Sequence, residues 1–119
     1  MTDSQRSRGV TILSAVIALI FLGSGAAKLM GAEPLAETFT RFGFGLGFMR
    51  FIGAAEVAGA IGLFLPRLAP VAAACLVPIM CGAVYNHLVH DPIPEAVPPA
   101  VLGVLCGFLA WARRGELRG

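Results

Sequence analysis

Residues 9–27 read GVTILSAVIALIFLGSGAA, nineteen consecutive positions without Asp, Glu, Lys or Arg. At 1.5 Å per residue a helix of that length covers about 28 Å, close to the hydrocarbon thickness of a bilayer. Working outward, residues 68–86, LAPVAAACLVPIMCGAVYN, form a second run of the same kind. A further one, AVPPAVLGVLCGFLAWA at 96–112, opens with Pro98 and Pro99 in a first turn, where N–H groups lack helical partners anyway. It closes on Trp111 just before Arg113 and Arg114, the arrangement of an interfacial anchor. Between the first two lies FMRFIGAAEVAGAIGLFL at 48–65, apolar but carrying Arg50 near its start and Glu56 well inside. The expected crossings are therefore about 9–28, 48–65, 68–87 and 96–112.

The rest of the composition agrees. Of 119 residues, 57% are hydrophobic and 13% charged, against roughly half and a quarter in an average soluble domain. Fifteen Gly and eight Pro do not indicate disorder, because that state needs low hydrophobicity, and here the mean hydropathy is +0.82. The length suits one integral-membrane domain, residues 1–119. A net charge of +2 with scattered basic residues gives no nucleic-acid footprint. The sequence has no Walker loop, GxGxxG, GxSxG or HExxH, so nucleotide, hydrolase and zinc-protease readings fall away.

Four crossings put both termini on one side. Arg6, Arg8, Arg67, Arg113, Arg114 and Arg118 collect there, six basic residues against Lys28, Arg41 and Arg50 opposite. The positive-inside rule then predicts a multi-pass membrane protein with cytoplasmic termini. A cleaved signal peptide at the N-terminus is the competing reading; the first run is longer than a usual signal core, so the expectation is that it stays. The one substantial connection, MGAEPLAETFTRFGFGLGF at 30–48, holds Leu35, Phe39 and Phe42 at i, i+4 and i+7, with Pro34 suited to a first helical position. It predicts a short amphipathic helix at the outer interface, with Glu37 pairing Arg41 one turn on. The remaining connections are short, which favours an antiparallel up-down-up-down bundle: an all-α membrane fold.

Glu56 lies about eight residues into its crossing, roughly 12 Å below the boundary. A carboxyl group there costs on the order of 3 kcal/mol to insert, so it faces the bundle and finds a cation or a proton. Arg50, six residues earlier, falls on another helix face. Lys28, at the end of the first crossing, is the expected direct partner, with His87, Asn86 and Tyr85 lining the same outer cavity. Two readings stay open: a polar pocket for a small amphiphile or proton, or an interhelical clamp that only fixes packing. Gly53, Ala55, Ala58, Gly59 and Gly62 give small-xxx-small spacing for close internal packing. Pro78 should kink the third crossing. Cys75, Cys81 and Cys106 form no CxxC and read as small hydrophobes. The HxxHD cluster of His87, His90 and Asp91 reads as a solvated cap rather than a metal site, and no haem or flavin motif is present.

GSGAAKLMG at 23–31, RFIGAAEVAGAIGLFLPR at 50–67 and GAVYNHL at 82–88 together resemble the DoxX-like family of small four-span bacterial membrane proteins. The resemblance implies that Lys28, Glu56 and His87 occupy the family's polar positions, with Arg50 a weaker correspondence. Members of that family are linked to thiosulfate:quinone oxidoreductase assemblies, to membrane oxidative-stress complexes and to receptor-assembly chaperoning. Since a fold does not transmit a function, three roles follow as expectations. The first is a non-catalytic accessory subunit of a redox-linked membrane complex, partnered by the lipid bilayer and by other subunits or itself. The second is a small quinone- or lipophile-binding oxidoreductase component using the polar cluster. The third is a small-molecule transporter working as an oligomer.

Overall fold

The computed structural model describes residues 3–118, with side chains from 7 to 117; the side chains of Arg6 and Arg118, counted in the charge balance, lie outside the described residues. Every regular element among them is helical. The long helices are α1 (Asp3–Leu29), α3 (Leu46–Leu63), α4 (Ala69–His90) and α5 (Val97–Ala112), and a short α2 (Glu33–Arg41) joins the first pair. A 3-10 turn at Ile93–Ala96 leads into α5, so the fourth apolar span starts at Ile93 rather than Ala96. The apolar spans Ser7–Leu29, Leu46–Leu63, Ala69–His90 and Ile93–Ala112 are each long enough to cross a membrane. This is the expected antiparallel helical bundle, with boundaries moved by two or three residues.

Two turns make the short α2 possible. Gly31 and Gly43 have φ of +71° and +90°, a region that costs other residues a Cβ clash. Each ends the preceding helix in a Schellman motif: Ala32 N–H donates to Ala27 O and Phe44 N–H to Phe39 O, with the glycines donating to Lys28 O and Thr40 O. The expected Glu37–Arg41 pair within α2 does not form, because Arg41 turns to Asp91 instead.

The four long helices pack as two tight pairs, α1 on α3 and α4 on α5, joined along α3 and α4; α1 and α5 touch only sparsely. Their shared core is Ile17, Ala18 and Phe21 of α1, Ala60 and Leu63 of α3, Ala73, Leu76 and Met80 of α4, and Cys106 and Leu109 of α5. The small residues of α3 do the internal packing the sequence suggests. A Cβ on Gly53 would stand 2.7 Å from both Gly25 O and Lys28 Cβ, and one on Gly62 would stand 2.7 Å from Ala72 Cβ. The α1–α3 pair is therefore in backbone contact. Ala58, by contrast, faces outward.

The end of the bundle that holds both termini is closed by one side chain. Arg113, after α5, donates from Nη1 to Ser14 Oγ of α1 at 3.0 Å and to Leu63 O at the end of α3 at 3.1 Å, while Glu116 accepts from its Nε and Nη2 at 2.6 and 2.7 Å. Next to it, Arg114 lies over the Trp111 ring at 4.5 Å. The opposite end is open.

Candidate functional site

At that open end the four long helices and α2 line a cavity of about 610 Å³. Each face follows from helical spacing. From α3 come Phe48, Ile52 and Glu56, at i, i+4 and i+8; from α4 come Ile79, Gly82, Ala83, Asn86 and His87, on one stripe of the 3.6-residue period. α1 supplies Ile20, Ser24 and Lys28, and α5 supplies Pro98, Pro99 and Leu102. The apolar face of α2, Leu35, Thr38 and Phe39 with Phe42 beyond, roofs the space. Thus the amphipathic helix exists as expected, with its greasy face turned onto the cavity.

On the cavity wall the single carboxylate is paired. Lys28 Nζ donates to Glu56 Oε1 at 2.7 Å and to Ser24 Oγ at 2.6 Å, and the Ser24 hydroxyl donates to the same Oε1 at 3.0 Å. Glu56 is 1% exposed. Three features bring the groups together. Gly25 and Gly53 let the backbones touch, so Lys28 starts beside α3 one turn above Glu56. Helical Cα–Cβ bonds lean toward the N-terminus, which aims the Lys28 stem back along α1 to Ser24, four residues earlier. The surrounding apolar wall leaves the ammonium no nearer anion.

The roof is latched by a second polar group. Arg41 at the end of α2 pairs with Asp91 Oδ1 at 2.8 Å, and His87 Nδ1 donates to Asp91 Oδ2 at 2.7 Å. Phe42 meets the His87 ring edge-on, with centroids 5.1 Å apart, and Phe44 stacks on Phe48 at 4.5 Å. Partial burial pushes the Asp91 carboxyl up, but the hydrogen bond from His87 and the charge of Arg41 outweigh it and hold the group below its ordinary 3.8. A depressed carboxyl stabilises the folded state above its unfolded value, so the contribution of Asp91 is present above its ordinary 3.8 and is lost as pH falls through the lower folded value.

Of the six residues singled out from the sequence, Lys28, Glu56, Asn86 and His87 share the cavity. Tyr85 and Arg50 do not. Tyr85 is 66% exposed on the outer face, because one residue before Asn86 is a 100° turn away from the lining stripe. Arg50 is exposed on the face of α3 opposite Phe48 and Ile52, beside the Gly31 turn. His87 sits with Asp91 rather than with Glu56, so the HxxHD cluster is a latch and not merely a solvated cap. The cysteines are dispersed: Cys75 and Cys81 are exposed and Cys106 is in the core. Sequence reasoning missed Ser24 and the Arg41–Asp91 pair, since it set Arg41 against Glu37 and read Asp91 as part of a solvated cap. The Ser24–Lys28 spacing of four would have found the first, while nothing local links Arg41 to a residue fifty positions away.

No curated protein and no solved structure matches the chain. A family model does, over residues 12–109, a stretch that holds Ser24, Lys28, Glu56, His87 and the Arg41–Asp91 latch. With more than four-fifths of its length matched, and four apolar helices of spanning length, this small membrane protein belongs to the DoxX-like family.

Proposed function

We propose that this protein is a receptor for a small lipophilic molecule with a polar head, a quinone-like ring being the class that suits it, and that it serves a redox-linked membrane complex as a non-catalytic subunit. One observation carries the reading: an apolar cavity of about 610 Å³ with a paired, buried charge on its wall. That volume falls inside the 300–1,000 Å³ usual for small-molecule sites, and a mostly apolar lining with a few convergent polar groups is their common chemistry. An interhelical clamp alone needs no such space beside it. Phe39, Phe42, Phe44 and Phe48 offer ring faces and edges to an aromatic guest. α1 and α5 barely touch, and Ile20 and Pro98, which line the cavity, are exposed, so the access we propose runs between them. In the inner membrane, with cytoplasmic termini held by the arginines at the closed end, the cavity faces the outer half of the bilayer.

The test fills the space. Gly82 lines the cavity and a Cβ there would meet nothing within 4 Å, so Gly82→Leu is the substitution chosen to occupy the space. Wild type purified from native membranes in mild detergent should carry an extractable quinone-class lipophile, identified by mass spectrometry, together with partner subunits. Gly82→Leu should retain less than about a tenth of the lipophile and keep the same thermal transition. Equal recovery from both proteins, or none from either, would refute the reading.

A further inference from the structure

The hydrogen-bonding capacity left over at Glu56 defines the head group of the guest. Both protein donors, Lys28 Nζ and Ser24 Oγ, go to Oε1. Oε2 accepts nothing from a described residue, yet no fully buried side-chain oxygen lacks a partner, so Oε2 is the atom that looks into the cavity. An ammonium carries three N–H groups, and Lys28 uses two. Side by side the wall therefore presents one free carboxylate acceptor and one spare donor.

We infer that the ligand of this cavity is a neutral, hydroxyl-bearing ring, a phenol or hydroquinone rather than its ether or its fully oxidised carbonyl form, whose O–H donates to Glu56 Oε2 while its oxygen accepts from Lys28. The inference rests on the lipophile reading above and sharpens it. Charge excludes the alternatives. Lys28 and Glu56 neutralise each other, so an anionic or a cationic guest would bring an unpaired charge into a mostly apolar cavity. A guest with only acceptors leaves Oε2 unmet, and a desolvated polar atom without a partner is costly. Only a group that donates and accepts at one atom satisfies both, and a hydroxyl does so. The ring then lies against Phe44, Phe48 and Phe39, with apolar substituents running toward Ile20 and Leu102.

The experiment compares 4-hexylphenol with 4-hexylanisole, 4-hexylbenzoate and hexylammonium, measured as binding to the protein in phospholipid nanodiscs after subtracting partition into empty nanodiscs. Wild type is expected to hold the phenol at least about tenfold more tightly than each of the other three. In the double variant Lys28→Met with Glu56→Met, which keeps the volume and removes both charges, the phenol-to-anisole ratio should fall to about one. Phenol and anisole bound equally by wild type would overturn the hydroxyl assignment and leave the lipophile site standing. Tighter binding of the benzoate or the ammonium would overturn its neutrality. An unchanged ratio in the double variant would show that the preference arises elsewhere. Binding of none of the four would sink the lipophile reading and this inference together.

Discussion

Lys28 points its side chain the wrong way for a lysine at a membrane-helix end. Such residues ordinarily snorkel outward to water. Here the ammonium bends back toward Ser24 and the carboxylate of Glu56, with 12% and 2% of the two side chains exposed. A buried pair contributes little net stability against an apolar replacement, but breaking it strands a charge, at about 3–5 kcal/mol. Lys28→Met should therefore destabilise the protein by roughly 3 kcal/mol, whereas Lys28→Met with Glu56→Met should be within about 1 kcal/mol of wild type. Denaturation in mixed micelles reads both; a single variant as stable as the double would show that the pair is not buried as described. Glu56 and Lys28 were legible because a charge inside an apolar run stands out and needs a partner. Tyr85 was misread because proximity in sequence to Asn86 and His87 is not proximity on a helix face. Asp91 was undervalued since its partner Arg41 is distant in sequence.

The α1–α3 crossing is where element geometry becomes site geometry. The spacing of small residues in α3 was visible in the sequence, though their partners were not: Gly53 serves Gly25 and Lys28, Gly59 serves Leu76, and Gly62 serves Ala72. Close approach between membrane helices depends on such residues, and a methyl group at a backbone contact pushes the axes apart. Gly53→Ala meets Gly25 O and Lys28 Cβ, both at 2.7 Å, and neither atom is the free end of a flexible chain. The expected cost is about 1–3 kcal/mol, as for overpacking elsewhere, with the Lys28–Glu56 pair loosened. Gly23→Ala, two residues from Gly25 and with nothing within 4 Å, is the control. It should be neutral or stabilising by up to about 1 kcal/mol through helix propensity. Unfolding of the two variants side by side separates a contact effect from a general intolerance of alanine; equal stabilities would rule out the tight crossing. Pro78 belongs to the same scale, since it lies inside α4 and on the cavity wall, yet the helix continues through it to His90.

Across the whole molecule, a clamp at one end and a cavity at the other give the bundle its polarity. The four apolar runs made the fold readable, because a bilayer leaves a chain of this hydropathy almost no other choice than helices satisfying their own backbone. The cavity was not readable: all four long helices and α2 line it, while Arg113 binds Ser14 and Leu63 O at the other end. The charges follow the same polarity. Arg8, Arg67, Arg113 and Arg114 lie toward the clamp, whereas Lys28, Arg41 and Arg50 lie toward the open end. The positive-inside bias of the sequence keeps its direction in the folded molecule. It predicts that His90→Cys, at the exposed end of α4, reacts with a membrane-impermeant maleimide on intact bacterial spheroplasts, while Pro66→Cys, in the turn before α4, reacts only after permeabilisation. The native thiols should stay silent, since Cys106 is in the core and Cys75 and Cys81 lie within the apolar span of α4, out of reach of a membrane-impermeant reagent. Labelling in the reverse order would invert the orientation, and labelling of both sites from outside would break the four-crossing arrangement on which the position of the cavity depends.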